Sequence, residues 1–200
     1  MKRKTLVELA RDEEGQNIVE FALLLPLLMW ILLGIIQFGF IFAAYLTLNN
    51  AAREGARWGS IYIYDNSLNE NQNDRARNEG VVDRMIQARG ILSMAARGSS
   101  TGNFSTSGNG NLAVASCPQQ TPTPVLGYYY GSASNPDVTI CYSVPSTASA
   151  NFPRRGYYLD VEVWYHQLIF MPLLDQFLPN DPVKGGSWIR LPARITVVVN

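Results

Sequence analysis

The chain has 200 residues, of which 47% are apolar and 16% are charged, and 16 basic residues balance 16 acidic ones. Without net charge, and without a basic patch interleaved with aromatic residues, the composition argues against a nucleic-acid partner. Once about 60 amino-terminal residues are set aside as a helix, the remaining length allows one modest globular domain.

The first feature along the chain is an apolar run of 28 residues, from Phe21 to Leu48, that contains no Lys, Arg, Asp or Glu. About 20 apolar residues suffice to cross the hydrocarbon core of a bilayer, so the run predicts a transmembrane helix. A cleaved secretory signal has an apolar core of only roughly 7 to 15 residues, followed by a small-residue cleavage site. The run from Phe21 to Leu48 is longer than such a core and is not followed by such a cleavage site. We therefore expect the helix to stay attached to the carboxyl-terminal part of the chain.

Charge on the two flanks of this run predicts its orientation. Arg53 and Arg57 lie after the run, whereas the four cationic residues before it are Lys2, Arg3, Lys4 and Arg11. Cationic flanks are retained in the cytoplasm. Because this bias is small, the interpretation also rests on two cysteines far beyond the run, in a region whose composition suits an oxidising compartment. We expect a single-pass protein with a cytoplasmic amino terminus and an extracytoplasmic carboxyl side.

The junction before the apolar run carries the most specific motif of the sequence. Gly15 is followed by four residues and then by Glu20 and Phe21, where the apolar residues begin. This G-x-x-x-x-E-F arrangement resembles the processing site of type IV pilin-like precursors, which a prepilin peptidase cuts after the glycine. The resemblance implies cleavage between Gly15 and Gln16, with residues 1–15 as a cytoplasmic leader peptide. Glycine suits such a site because it has no side chain to block close approach to the backbone.

An ionised carboxylate such as Glu20 is costly at the edge of the hydrocarbon unless it is paired or reaches the headgroups. It is either an interfacial residue solvated by headgroups or, after cleavage, the partner of a newly freed amino terminus, its own or a neighbour's. Pilin-like families assign the second role to this position, and we favour it because the glycine, the spacing and Phe21 agree. Further along, Pro26 removes one helical hydrogen bond, so we expect a kink or local unwinding there.

From Ala43 onward we expect the helix to continue out of the membrane as a stem. Small residues recur there at helical spacing in two adjacent rows, which are Ala51, Gly55 and Gly59, and Ala52, Ala56 and Ser60. Such rows let helices approach closely. The pattern leaves two partners equally open, namely the protein's own domain and a second subunit.

The run LNNAAREGARWGS, placed after a VEFALLLPLL-type helix, resembles the TadE-like proteins of tight-adherence pilus systems. The resemblance implies a pseudopilin or minor pilin that is needed to assemble thin adhesive pili. Its implied partners are a prepilin peptidase, other pilin or pseudopilin subunits, and an inner-membrane assembly platform with its ATPase, besides the membrane lipid itself. The stem motif that carries the likeness comprises Arg53, Glu54, Gly55, Ala56 and Arg57. The two arginines share a face, and we expect them to reach phosphate headgroups.

Beyond a polar linker at 65–73, periodicity predicts an amphipathic helix over 74–98, capped by Asn73 or Asp74 and ended by Gly98. We expect its apolar stripe to pack on a sheet; the stripe comprises Val81, Met85, Ala88, Leu92 and Ala95. After an irregular loop, strand-like runs appear at 125–131, 138–144, 157–170 and 193–199. They predict an antiparallel sheet of three or four strands, and hence an α+β fold.

The third strand-like run predicts one buried and one wetted face of the sheet. The residues expected inside are Leu159, Val161, Val163 and Tyr165, and those expected outside are Asp160, Glu162 and Trp164. The next stretch, 171–192, lacks clear periodicity. It either packs its apolar residues under the sheet or exposes them as a subunit-contact or tip-binding loop; they are Leu173, Leu174, Phe177 and Leu178.

The residues that could carry chemistry are few. Cys117 and Cys141 are expected to form a structural disulfide between loop and sheet, since a two-thiol metal site would lack ligands when His166 is the only histidine. No serine, cysteine or carboxylate motif of known spacing surrounds His166, so we expect it to be structural. No glycine-rich phosphate loop comes after a strand. We expect no enzyme, no cofactor and no metal site.

These observations predict three regions: the leader peptide, a transmembrane and stem helix at 16–64, and an extracytoplasmic α+β head at 65–200. Two functions remain open. One is a pilus assembly subunit that is cut after Gly15 and extracted into a cell-surface pilus. The other is a permanently anchored, uncut binding or adhesion module whose sheet and loops contact a surface or ligand.

Overall fold

The computed structural model describes residues 6–92, 94, 111–112, 117, 124–131, 136–145, 154–171 and 174–200. Its elements, in chain order, are α1 (Leu6–Ile61), α2 (Glu70–Gln87), β1 (Asn111–Leu112), β2 (Pro124–Gly131), β3 (Pro136–Ser143), β4 (Tyr158–Leu168) and β5 (Trp188–Val198). A 3₁₀ turn, Leu174–Gln176, lies between β4 and β5. The chain divides into two compact units, Met1–Phe40 and Ile41–Asn200.

The first unit contains the amino-terminal part of α1, a helix of 56 residues. In the uncut chain α1 extends back to Leu6, before the predicted cut, and residues 6–14 are mostly strong helix formers such as Leu, Glu, Ala and Arg. The division of the chain at residue 16 stays a prediction. It continues through Pro26 without a break, so no local unwinding is seen there, and the kink stays a prediction.

Apolar side chains on this part of α1 are exposed, from 40% for Trp30 to 74% for Leu23. A helix that is apolar all round requires apolar surroundings. Asn17–Ile61 is long and apolar enough to cross a membrane, and no other helix in the described part of the chain is. Length and composition therefore agree with the predicted single membrane anchor.

The second unit contains an antiparallel sheet in which each strand pairs with the next one along the chain, in the order β1-β2-β3-β4-β5. In its centre, Ile140 of β3 lies opposite Val161 of β4, which lies opposite Ile195 of β5. The four long strands confirm the predicted α+β fold. Strand β1 adds only a two-residue pairing at the edge of β2.

The carboxyl-terminal part of α1, together with α2 and the sheet, forms one hydrophobic core. Fully buried side chains come from all three: Leu48, Ala52, Ala56, Val81, Met85, Ile140, Leu159 and Val161. Both predicted rows of small residues lie in this core, from Ala51 at 0% exposure to Ser60 at 8%. Of the two partners that the sequence left open, the structure shows the protein's own domain.

Gly55 illustrates why the stem needs small residues. A Cβ atom at this position would lie 2.5 Å from Cγ of Met85 and 3.0 Å from the carbonyl oxygen of Val81. We expect Gly55→Leu to lower the free energy of unfolding by about 2 kcal/mol or more, as overpacked cores do. Thermal unfolding of the full chain in detergent measures this change.

The matched control for this substitution is Gly39→Ala, because nothing lies within 4 Å of a Cβ atom built at Gly39. It should leave the unfolding temperature unchanged or raise it slightly, since alanine favours the helix. If Gly55→Leu unfolded at the temperature of the unaltered protein, the close packing of α1 on α2 would be contradicted.

The start of α2 differs from the prediction. The helix begins at Glu70 and is capped by Asn69, whose side chain accepts a hydrogen bond from the backbone N–H of Gln72. The Gln72 side chain in turn accepts one from the backbone N–H of Asn69. Because this reciprocal capping box forms earlier in the chain, Asn73 and Asp74 lie inside the helix and do not cap it.

The end of α2 also comes earlier than predicted, at Gln87. Gly90, just beyond it, has a φ of +54°, a left-handed conformation that glycine adopts without strain. Of the predicted stripe, Val81, Met85 and Leu92 are buried and Ala88 is half-buried. Ala95 and the predicted cap Gly98 lie outside the described residues.

One face of β4 agrees with the prediction and the other does not. The residues expected inside are all buried. On the opposite face Asp160 is only 1% exposed, and it accepts hydrogen bonds from Nε of Arg194 at 2.8 Å and from the Thr196 hydroxyl at 2.6 Å. Both partners lie on β5, while Glu162 and Trp164 are half-buried. This face is therefore not simply wetted, because side chains of the neighbouring strand enclose Asp160.

Cys117 and Cys141 form the predicted disulfide, with their Cα atoms 5.9 Å apart. Cys141 lies in β3 and is fully buried. The bridge joins positions that are 24 residues apart in sequence, so it ties the segment before β2 to the middle of the sheet.

Candidate functional site

The predicted processing residues lie on the amino-terminal part of α1. Gly15 and Gln16 are helical, and the structure does not describe the side chain of Gln16. Glu20 and Phe21 are exposed. Glu20 makes no ion pair with any residue that the structure describes. Gln16 and Glu20 are four residues apart in one helix, so they share a face and are separated by about 6 Å along the axis.

The stem motif divides between two sides of α1. Gly55 and Ala56 are buried in the core of the head, whereas Arg53, Glu54 and Arg57 are exposed. Arg57 lies 3.8 Å from Glu54, with the two side chains 75% and 48% exposed. Surface pairs of this kind contribute little to stability. The two arginines share an exposed face as predicted, and their contact with headgroups stays a prediction.

A buried ion pair joins α2 to the segment before β4. Arg154 donates from Nε and Nη2 to both carboxylate oxygens of Asp74, at 2.7 to 3.0 Å, and Asp74 is 0% exposed. The hydroxyl of Tyr64, in the connection between the helices, donates to the same carboxylate. Burial and then the hydrogen bond to Asp74 raise the pKa of Tyr64. Asp74 therefore holds three elements of the head together.

Arg77 lies one turn after Asp74 in α2 and is 1% exposed. Its guanidinium lies over the rings of Tyr64, Tyr62 and Tyr142, at 4.5, 5.5 and 5.9 Å from their centroids. Nη2 makes a long hydrogen bond of 3.5 Å to the Tyr62 carbonyl, and no described residue accepts a hydrogen bond from Nε or Nη1, both of which are buried. Within the described residues no carboxylate forms an ion pair with Arg77, and the three aromatic rings stabilise its charge in part.

Sequence reasoning missed these polar residues although the periodicity contained a signal for them. The buried face of α2 continues from Val81 to Arg77, and from Val82 to Asn78, four residues earlier in each case. A polar residue on a buried stripe indicates a buried polar partner. Asn78 has one, since it accepts a hydrogen bond of 2.7 Å from the Tyr142 hydroxyl.

A second buried cluster surrounds His166 in β4. Its Nε2 lies 2.8 Å from Oδ1 of Asp137 in β3, and its Nδ1 contacts Oδ2 of Asp181 in the segment before β5. The three residues are at most 5% exposed. Arg190, opposite His166 on β5, supplies a second cation and donates to the carbonyl of Pro136. The two cations and two carboxylates balance when the histidine is protonated.

Hydrogen bonding in this cluster favours the charged histidine. Burial opposes the charge on His166, but the hydrogen bonds to Asp137 and Asp181 outweigh it and raise the pKa of His166. For Asp181, burial is outweighed by His166 and by the backbone N–H groups of Val183 and Lys184, so the pKa of Asp181 is lowered. The cluster is an ionic cross-link between strands. In the part of the chain that the structure describes, no group of three or more His, Cys, Asp or Glu could hold a metal ion.

The loop between β4 and β5 combines the two arrangements that the sequence left open. Phe177 is 80% exposed, whereas Leu174 and Leu178 are half-buried. Leu173 lies outside the described residues. Asp181 anchors the loop through its contact with His166, so part of the loop packs on the head and Phe177 remains accessible.

Comparison with known proteins matches only the amino-terminal part of the chain. No curated protein and no solved structure matches the chain. A family model, described as TadE-like protein, matches residues 15–57. The match begins at the glycine of the predicted cut and ends at the second arginine of the stem motif. Residues 15–57 thus carry the sequence pattern of the TadE-like family, which confirms the resemblance drawn from the two motifs.

Proposed function

We propose that the chain is a pseudopilin or minor pilin of a tight-adherence-type pilus, and that a prepilin peptidase cuts it after Gly15. The match of residues 15–57 to the TadE-like family carries this proposal. A continuous helix with exposed apolar side chains supports it. The partners are then the peptidase, the inner-membrane assembly platform and other pilus subunits. The amino terminus is cytoplasmic and the disulfide-bonded head extracytoplasmic, where disulfides persist.

Cleavage after Gly15 requires access to the backbone of a residue that is helical in the uncut chain. Glycine destabilises a helix interior by about 1 kcal/mol relative to alanine. It therefore makes α1 easier to unwind at the cut site than alanine would, and it leaves no side chain in the way of the peptidase. A bulky residue there removes both properties.

The cut creates a partner for Glu20. It frees an amino group on Gln16, four residues away on the same helical face, and a neighbouring subunit offers the same group. A carboxylate at the edge of hydrocarbon is stabilised by such a pair. Because the small residues of the stem are used inside the head, the surface that remains for bundling subunits is the exposed apolar part of α1.

The experiment is mass spectrometry of the amino terminus of the protein from native membranes. We expect the unaltered protein to begin at Gln16 and Gly15→Leu to retain residues 1–15. Gly39→Ala, with nothing within 4 Å of its added Cβ atom, is the control and should be cut normally.

A second pair of variants separates processing from assembly. Glu20→Gln should be cut but should not assemble into pili, because the neutral amide cannot form the ion pair. Glu70→Gln removes an exposed carboxylate from the head instead and should be cut and assembled.

An unaltered protein that still begins at Met1 or Lys2 would contradict the proposal. The alternative, an uncut anchored binding module, would then hold, and its function should survive replacement of residues 16–48 by an unrelated membrane helix.

A further inference from the structure

The loop between β4 and β5, residues 169–187, exposes apolar side chains at one end of the sheet. Phe177 is 80% exposed and Val183 is 49% exposed. In the same loop Nζ of Lys184 lies 4.6 Å from the ring centroid of Trp188. Several apolar side chains exposed on one loop indicate a surface that meets an apolar partner.

Hydrogen bonds hold this loop on the head. The backbone N–H of Asp181 donates to the Trp188 carbonyl at 2.9 Å, and the Asp181 side chain contacts His166 in β4. The N–H of Ile169 donates to the Ser187 carbonyl at 2.8 Å. The exposed side chains therefore belong to an anchored segment, and the direction of the strands decides where it lies.

The loop lies at the opposite end of the sheet from the end of α1. The first residues of β4 pack near the end of α1, since a Cβ atom at Gly59 would lie 2.5 Å from Cδ2 of Leu159. The backbone N–H of Asn200, just after β5, donates to the Ser60 carbonyl at 3.0 Å. From Leu159 to Leu168, where the loop follows, β4 extends about 30 Å at about 3.3 Å per residue.

This direction takes the loop back toward the point where α1 enters the head. Tyr165, about 20 Å along β4 from Leu159, is buried in the core that Ala44 also lines. A strand running across the two helices would pass beyond them within that distance, because packed helices lie only about 8 to 10 Å apart. We infer that β4 runs along α1, where Ala44 lies about 22 Å back from Gly59. The loop then lies beside the last turns of the apolar run.

The membrane is the partner that the chain itself holds at this end of the head. A tethered surface is met at high effective concentration, so that weak contacts suffice. Aromatic and aliphatic side chains near a lysine are typical of segments in the interfacial zone of a bilayer. Asp181 is buried against His166 and does not oppose such a contact. The side chain of Asp175, in the same loop, lies outside the described residues.

We propose that the β4–β5 loop places Phe177 and Val183 in the interfacial zone of the bilayer that α1 spans, on the side of the head. The head is then held at the membrane surface by two attachments, the helix and the loop. This goes beyond the proposed pilus role, and it requires the membrane anchor but not the cut after Gly15.

The test is the depth of a nitroxide spin label on the full chain, held as single copies in phosphatidylcholine nanodiscs. Phe177→Cys and Val183→Cys are labelled one at a time, and the two native cysteines do not react because they form a disulfide. Collision with oxygen, which concentrates in lipid, and with a water-soluble nickel complex gives the depth. We expect both labels about 5 Å or more below the lipid phosphates.

Two further positions calibrate this measurement. Ile63→Cys is the matched control, because Ile63 is 87% exposed and follows the end of α1, at the other end of the head. Its label should collide with the nickel complex as a label in water does. Leu32→Cys, inside the apolar run, should carry the deepest label.

A second set of variants tests the native side chain of Phe177, since a nitroxide label is itself apolar. Phe177→Glu places a charge at an exposed position. It should keep the unfolding temperature and move the label at Val183→Cys into water, because a carboxylate is costly in lipid. Ile63→Glu is its control and should leave that label in lipid.

Labels at Phe177→Cys and Val183→Cys that lie in water would overturn the proposal. Labels shielded from both reagents would overturn it too, because a protein surface would then cover the loop in place of lipid. An unchanged depth of the second label in Phe177→Glu would remove the role of Phe177. A label at Leu32→Cys in water would overturn the anchor and this contact with it. None of these results bears on the amino-terminal sequence of the processed protein, so the contact and the cleavage can fail separately.

Discussion

Replacing Asp74 by asparagine is expected to lower the free energy of unfolding by about 3 to 5 kcal/mol, the usual cost of breaking a buried ion pair. Asp74 is 0% exposed and is the carboxylate on which Arg154 and Tyr64 converge. Asparagine has nearly the same shape, so the loss reports the charge and not a cavity. The half-buried Arg154 would then lack its counter-ion. Urea or thermal unfolding of the full chain in detergent measures the change.

Two further variants make this result specific. Glu70→Gln removes an exposed carboxylate from the first turn of the same helix and should change stability by no more than about 0.5 kcal/mol. In a double-mutant cycle, Asp74→Asn combined with Arg154→Met should cost clearly less than the sum of the two single changes, because the second change removes the orphaned charge. Additive losses would show that the two residues do not act as a pair.

A fall in stability as the pH rises above 6.5 is the second expected result. The pKa of His166 is raised above its ordinary value of 6.5, so the folded protein holds this proton more tightly than the unfolded chain does. The stabilisation is therefore complete below pH 6.5 and is lost as the pH rises through the folded-state pKa. Asp137, Asp181 and Arg190 face the imidazole, and the excess negative charge that remains opposes folding.

At acidic pH the stability is expected to change with pH in the opposite direction. The pKa of Asp181 is lowered from its ordinary value of 3.8. Its contribution is present above pH 3.8 and is lost as the pH falls through the folded-state pKa. The cluster should therefore stabilise the head most between about pH 4 and 6.5.

The variant His166→Gln isolates this effect. At pH 6 it should be less stable than the unaltered protein by about 3 kcal/mol, because two buried carboxylates lose their shared cation. The difference should shrink toward pH 9. Glu162, whose pKa burial raises, is present in both proteins and cancels in the comparison. A difference that is independent of pH would show that His166 acts only by its shape.

The features that could be predicted from sequence lie in short stretches of the chain. The apolar run after Gly15 specifies a membrane-length helix because about 20 adjacent apolar residues are enough for it. Alternation in β4 predicted its inner face because the strand period is two residues. The disulfide was inferred from there being two cysteines and no further ligands for a metal. Each inference used residues that are close in sequence or few in number.

The polar contacts inside the head could not be predicted from the sequence, because the residues that form them come from distant segments of the chain. Asp74 and Arg154 are 80 residues apart, and His166 meets carboxylates 29 residues before it and 15 residues after it. No local pattern encodes such pairings. The buried Arg77 and Asn78 were visible as polar residues on an apolar stripe, but their burial depends on the sheet and tyrosines that cover them.

The sequence by itself thus determined the anchor, the match to the TadE-like family and the α+β class, since these depend on composition and period along contiguous residues. The tertiary structure alone decided what the small residues of the stem contact, because Gly55 meets Met85 only once α1 and α2 are packed together. It also decided which charges are buried and which lack a counter-ion, because the free energy of a charge depends on the groups that surround it in space.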